Sequence, residues 1–269
     1  MHKITHPKGI QIPTATTTAG GEQRQEAQRR HRIEAVFWCL GVIVFILASF
    51  MVHAHPKPYA IDLATTEWVQ GLHLPAWFDA VLRFPSILNN PLPSLIAVIA
   101  WFVFMLVMAL IFKLQDRSPL TWLQAAIFFA LTIGGSYGLQ GIVELLVNRP
   151  RPNPHLYPIH LYTPLVPFPT YPSGHTDFDV VYYGFLLYLS FTKPVREWRY
   201  HWFLLPLQIF AMFAILSIGY SRILEGDHWL TDVLAGYLEG AISLFLFIFL
   251  YRWATNWLAQ RRKKKLLLG

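Results

Sequence analysis

Apolar runs long enough to cross a bilayer recur along this chain, and they constrain it more than any other feature. Six are visible, at about Ala35–Val52, Pro93–Phe112, Leu120–Val147, His175–Phe191, Trp202–Tyr220 and Trp229–Trp253. Spanning the hydrocarbon core takes about 20 mostly apolar residues, because a helix rises only about 1.5 Å per residue. A soluble core could hide one such run, but not six. The fourth run is the shortest and opens on polar residues. Only 14% of the residues are charged, against about a quarter in soluble domains. The expected fold is an all-α integral membrane protein, a bundle of six transmembrane helices, since helices satisfy their own backbone groups in lipid.

Charge fixes the expected orientation. Arg24, Arg29, Arg30 and Arg32 precede the first run, and Arg261, Arg262, Lys263, Lys264 and Lys265 follow the last. Lys113 and Arg117 lie between runs two and three, and Lys193, Arg196 and Arg199 between runs four and five. Six spans place all of these on one side, and the positive-inside rule makes that side cytoplasmic. Both termini are then cytoplasmic, in an inner or plasma membrane of bacterial type. A polar tail (1–33), a six-span domain (34–258) and a basic tail (259–269) are the expected divisions. The basic tail suits anionic lipid rather than nucleic acid. The single cysteine, Cys39, lies in the first run, so it forms no intramolecular disulfide and suggests no metal site. The first run follows too long a polar segment for a signal core and is expected to be an uncleaved anchor.

Between the runs, residues 53–92 mix Trp68, Trp77 and Phe78 with polar residues. This pattern fits short helices in the interface plane of the first external loop, or an ordinary packed loop. Residues 148–172 hold eight prolines, which forbid a helix and favour a stiff path. This segment is either a rigid connector or a lid over a headgroup. Gly134, Gly135, Gly138 and Gly141 in the third run suit close helix packing.

Three polar clusters lie at the external ends of different runs: "NRPRP" at 148–152, "YPSGHTD" at 171–177 and "GYSRILEGDHWLTD" at 219–232. The orientation argued from charge puts all three on one face, although it made no use of them. Arg149, Arg151 and Arg222 carry forked donors suited to phosphate oxygens. Ser173 stands where a helix starts after Pro172, and with Gly174 it offers backbone N–H groups to an anion. His228 and Asp232 are four apart, hence on one helical face, where a carboxylate can fix an imidazole tautomer. His175 can protonate a departing alkoxide. Together these suit phosphoryl transfer through a covalent phosphohistidine without a metal or other cofactor.

The series Arg-Pro (151–152), Pro-Ser-Gly-His (172–175) and Ser-Arg-x5-His-x3-Asp (221–232) resembles the type 2 phosphatidic acid phosphatase family, which is related to the vanadium haloperoxidases and bacterial acid phosphatases. The resemblance extends over about residues 34–255. It implies that His228 is the nucleophile, Asp232 its orienting partner and His175 the general acid. Arg151, Ser173, Gly174 and Arg222 would hold the phosphate, with Arg149 beside them. It also implies a lipid-phosphate substrate in the bilayer, such as phosphatidate, phosphatidylglycerol phosphate or a polyprenyl pyrophosphate, met at the periplasmic or exterior face.

One departure stands out. The family's first motif has a lysine seven residues before the Arg-Pro arginine, where this chain has Glu144, and no lysine occurs between Lys113 and Lys193. A carboxylate there repels a phosphate dianion. Glu144 either pairs with Arg149 or Arg151, or receives a cationic substrate group with help from Asp177, Asp179, Glu225 or Asp227, or marks a binding or scaffold protein with a crippled site. Substrate selectivity is therefore expected at Glu144, Asp177 and Asp227. Transfer of the phosphoryl group to an acceptor other than water uses the same chemistry and stays open, as does the oligomeric state. A transporter is disfavoured, because its polar residues would be spread along a pathway rather than gathered at one end.

Overall fold

The computed structural model describes residues 15–268, apart from 165 and 194. Residues up to Gly41 and residues from Val42 onward form two compact units. The described residues of the first, 15–41, are helical and belong to α1 (Ala15–Ala54). The second contains the end of α1 and then α2 (Ala60–Gln70), α3 (Ala76–Leu88), α4 (Pro91–Leu114), α5 (Leu120–Val147), α6 (Gly174–Ser190), α7 (Leu205–Leu224) and α8 (Leu230–Leu268). Two 3₁₀ turns, Val195–Glu197 and His201–Leu204, lie between α6 and α7. No strand occurs among the described residues.

Among the described residues, five helical stretches are long and apolar enough to cross a membrane: Gln28–Ala54, Pro91–Leu114, Leu120–Val147, His201–Leu224 and Leu230–Arg262. A helix, α6, covers the expected fourth run, but it has only 17 residues. It carries Thr176, Asp177 and Asp179 in its interior-facing set, which lowers its hydropathy. Helix α1 begins at Ala15, within the segment expected as a polar tail, and α8 continues to Leu268, through the segment expected as a basic tail.

Helix α6 is the hub. It packs on α5, α7 and α8, while α4 packs on α5 and α3 on α7. Lipid tails are as apolar as leucine, so close packing must hold such a bundle together. Small residues supply it. A Cβ on Gly184 would lie 2.4 Å from Leu244, and one on Gly240 would lie 2.8 Å from Val180, so α6 and α8 approach closely. The glycines of α5 contribute less than expected. Only Gly135 faces a neighbour, Phe247, whereas Gly134, Gly138 and Gly141 face open space. Gly134 and Gly138 share a face of α5 that has nothing to pack against.

Residues 53–92 do contain two short helices, α2 and α3, packed on α7. Trp68 and Trp77 are both exposed, on a surface suited to the bilayer interface. The proline-rich segment begins where Asn148 ends α5 in the left-handed conformation (φ 48°). It is tied down by both sides of the Gln70 amide, which meets the His160 backbone at 2.7 and 2.8 Å. Tyr162 N also donates to Glu225 O at 3.0 Å. These ties favour the connector over the lid.

The start of α6 is set by Gly236 on α8, where a Cβ would come within 2.5 Å of the Ser173 carbonyl oxygen. Gly236→Ala is expected to force these backbones apart at a cost of about 1–3 kcal/mol. An SDS unfolding titration of purified protein measures this, with Gly138→Ala as the variant expected to change little.

Candidate active site

His228 lies in the turn between α7 and α8 and is 2% exposed. Its Nδ1 is 2.8 Å from the Thr170 carbonyl oxygen and 2.9 Å from Thr170 Oγ1. A carbonyl can only accept, so Nδ1 carries the proton and Nε2 keeps its lone pair. Burial holds the His228 pKa well below the usual histidine value, and the charges of Arg151, His175 and Arg222 push it further the same way. The imidazole is therefore neutral at neutral pH, with its nucleophilic nitrogen opposite the anchored one.

Asp232 does not touch His228. Helix α8 begins at Leu230, so the two residues are not a pair on one helical face. Asp232 Oδ2 accepts from Thr170 Oγ1 at 2.9 Å and from the Trp229 N–H at 2.9 Å. The coupling from carboxylate to imidazole thus runs through Thr170, in the connector just before Tyr171 and Pro172. Sequence reasoning missed Thr170, although it borders the Pro-Ser-Gly-His motif. Trp229 is 1% exposed, with Tyr157 edge-on at 5.5 Å, so it is a packed core residue rather than an interfacial one.

Arg149 is placed differently from expectation. It is fully buried, and each of its five N–H donors has an acceptor. Nη1 donates to Asp232 Oδ1 at 2.5 Å and Thr231 Oγ1 at 2.7 Å, and Nη2 to Asp62 Oδ2 at 2.8 Å and the Lys57 carbonyl at 3.3 Å. Nε donates to the Pro56 carbonyl at 3.3 Å. No donor is left for a phosphate. Burial alone would lower the Arg149 pKa, but Asp232 and Asp62 outweigh it and raise the value. Asp62, on α2, also accepts from the Thr231 N–H and hydroxyl at 2.9 Å each. It is a further residue that the motifs do not mark.

Arg151 keeps free capacity. Nε donates to the Phe168 carbonyl at 3.0 Å and Nη1 to the Asp227 carbonyl at 3.2 Å, while Nη2 has no partner among the described residues. Burial lowers its pKa, against the attraction of Asp227, Glu144 and Asp232. Arg222 donates to Asp227 Oδ2 at 2.9 Å and to Ser86 and Glu225, and its buried Nε has no partner. Burial raises the Glu225 pKa, and Asp227 adds to that, while Arg222 and Arg83 oppose it. The acids at 225 and 227 are thus companions of Arg222, with Asp227 also held by Thr163.

Ser173 is the N-cap of α6, its N–H given to the Asp232 carbonyl at 3.0 Å. The next N–H groups, of Gly174, His175 and Thr176, precede the first helical bond, from Asp177 N to Ser173 O. They form an anion-binding helix start. The His175 carbonyl accepts from Asn89 at 2.9 Å, which fixes that turn. Glu144 accepts from Gln140 at 3.0 Å and lies within electrostatic reach of Arg151, but pairs with neither arginine among the described residues. Asp177 points away from the cradle, accepting from Ser136 at 2.8 and 3.0 Å on α5. Glu239, also buried, has no partner on either oxygen. No group of three or more histidine, cysteine or acidic residues among those described could hold a metal ion.

The family model described as PAP2 superfamily matches residues 125–258. Among solved structures, the chain resembles "the first transmembrane PAP2 type phosphatidylglycerolphosphate phosphatase from Bacillus subtilis", with a TM-score of 0.57 and 18% identity over 78% of this chain and 93% of that one. At that identity the likeness concerns the fold. No curated protein sequence matches the chain.

The two arginines should separate on substitution. Arg149→Met leaves Asp62 and Asp232 buried without their cation, and a loss of about 3–5 kcal/mol in stability is expected. Arg151→Ala should leave the SDS unfolding midpoint nearly unchanged while lowering kcat for a phosphate substrate at least tenfold. Equal stability losses in both would refute the division of labour.

Proposed function

Through residues 125–258 this chain belongs to the PAP2 superfamily, and from that premise we propose that it is a membrane lipid-phosphate phosphatase working through a phosphohistidine at His228. The observation that carries this reading is the Thr170 carbonyl on His228 Nδ1, which commits Nε2 to be the nucleophile. Arg151, Arg222 and His175 lie near enough to His228 for their charges to lower its pKa, which supports this reading.

The chemistry follows in two steps. Nε2 forms a bond to phosphorus as the bond from phosphorus to the lipid oxygen breaks, and His175 gives that oxygen its proton. Asp232 stabilises the positive imidazole through Thr170. Water, deprotonated by His175, then attacks phosphorus; the P–N bond breaks and inorganic phosphate leaves. Arg151, Arg222 and the free N–H groups of Gly174, His175 and Thr176 take the charge that spreads over the equatorial oxygens. The arginines neutralise this charge in the way a metal would, so no metal takes part. Arg149 holds Asp232 rather than the phosphate.

The basic segments support a six-span arrangement with both termini cytoplasmic and the site on the opposite face. Helix α6, though only 17 residues long, is the inner sixth span. Glu144 acts on Arg151: it offsets part of that charge where the family carries a lysine. The cationic-headgroup reading loses ground, because Glu225 and Asp227 are occupied by Arg222 and Asp177 by Ser136.

Purified protein should release phosphate from at least one member of a panel of phosphatidate, lysophosphatidate, phosphatidylglycerol phosphate and polyprenyl pyrophosphate, and His228→Ala should abolish release. Zero release on every lipid leaves a binding or scaffold protein. Thr170→Val keeps the carbonyl anchor but cuts the link to Asp232, and kcat should fall about 10²-fold. The pH profile of kcat/KM adds a check. A depressed histidine pKa keeps the nucleophile neutral as pH falls, so the acid limb of the profile should lie below the unperturbed value of about 6.5.

A further inference from the structure

A cavity of about 230 Å³ lies between α4, α6 and α7, outside the phosphate cradle. That is the liquid-volume share of about eight waters, so the space is narrow. One face is the stripe of α6 from Phe178 and Asp179, through Tyr182 and Leu186, to Ser190. Twelve residues of helix make this stripe about 18 Å long. Ala97 and Ala211 form part of the opposite wall, and Leu207 at the margin is 40% exposed, so the cavity opens sideways from the bundle. Its lining is almost wholly apolar except at the ends. The far end is closed by Gln208, which donates to Ser190 Oγ at 2.9 Å.

The near end is different. Asn89 and Asp179 both line it. Asn89 donates to Asp179 Oδ1 at 2.9 Å and to the His175 carbonyl at 2.9 Å, so the cavity reaches the turn that carries the proposed general acid. Asp179 is 1% exposed, and its Oδ2 has no partner. A buried carboxylate oxygen without a donor is costly, and it marks a place where a ligand can supply one. Arg222, within electrostatic reach of Asp179, has its own buried Nε without an acceptor. A group that both donates and accepts suits the pair, which points to a hydroxyl. A cation would be repelled by Arg222.

Resting on the phosphatase reading above, we propose that this cavity seats the substrate's hydrocarbon chain and that Asp179 binds a hydroxyl next to the phosphate. The substrate class is then a single-chain lipid phosphate with a free hydroxyl beside the phosphoryl group. Phosphatidate offers no such hydroxyl, and the second chain of any two-chain lipid would have to lie outside this narrow cavity.

The test uses the full-length protein and three phosphate monoesters: 1-palmitoyl lysophosphatidate, hexadecyl phosphate, which has the chain without the hydroxyl, and p-nitrophenyl phosphate, which has neither. Ala97→Trp fills the cavity without touching the cradle. It should raise KM for both long-chain substrates at least tenfold and leave p-nitrophenyl phosphate turnover unchanged, which also reports correct folding. Asp179→Asn should lower kcat/KM for lysophosphatidate at least tenfold and spare hexadecyl phosphate. Unchanged KM values in Ala97→Trp overturn the chain site. Equal losses on both lipids in Asp179→Asn overturn the hydroxyl contact and leave Asp179 a positioning residue for His175. Direct binding of radiolabelled hexadecyl phosphate to His228→Ala separates this proposal from the phosphatase reading. Weakening of that binding by Ala97→Trp supports the cavity even if the wild type hydrolyses none of the three, and no weakening refutes it.

Discussion

One buried guanidinium organises the catalytic end of this bundle. Arg149 sits between Asp62 on α2 and Asp232 on α8, with both carboxylates inside hydrogen-bond distance. Two charges of one sign and one of the other are costly to bury, and only complete hydrogen bonding makes the arrangement tolerable. Each further bond ties in another segment: the Pro56 and Lys57 carbonyls before α2, and Thr231 at the start of α8. Asp232 in turn receives Thr170 of the connector. Four separate stretches of chain are thereby fixed to one another, and His228 is oriented as a consequence. The proposed nucleophile is held by Thr170 alone of these residues, and Thr170 is placed by residues with no hydrogen bond to His228 among those described.

The helical bundle was legible in the sequence because membrane spans are written as composition. Six runs were visible, and among the described residues five of them are helices long and apolar enough to cross a membrane. Helix α6 stands apart because it is short, at 17 residues, and carries buried acids that lower its hydropathy. The site residues in motifs were legible for a related reason: arginines and histidines at span ends are expensive there and stand out. What could not be read was the division of roles. Arg149 and Arg151 are identical residue types two positions apart in an irregular segment, and only tertiary contact decides which meets carboxylates. Thr170 and Asp62 were invisible because a threonine or aspartate in a loop or short helix is ordinary. Their importance comes from meeting His228 and Arg149 across the fold.

The acids near the site also change meaning. In the sequence, Glu225 and Asp227 suggested an excess of negative charge available to a headgroup. In the structure they bracket Arg222, with Ser86 as a third partner. Of the acids considered for a headgroup, Asp179 keeps a buried oxygen without any partner, and it lies at the mouth of an apolar cavity.

This arrangement bears on how a phosphate is held. Arg222 is paired with two carboxylates, and Glu144 acts on Arg151 through space, so the proposed cradle is far less positive than its arginines suggest. On the proposed reading a ground-state phosphate competes with those acids and is bound weakly. The arginines, however, are kept in place by the same acids in a poorly solvated pocket, where charged side chains would otherwise be hard to position. In the transition state negative charge spreads over oxygens that move towards these fixed donors, and the interaction grows while the competition does not. Binding that strengthens only in the transition state raises turnover rather than affinity. The acid at position 144 is then consistent with catalysis, since it weakens the ground-state complex without removing any group that acts on the reacting phosphorus.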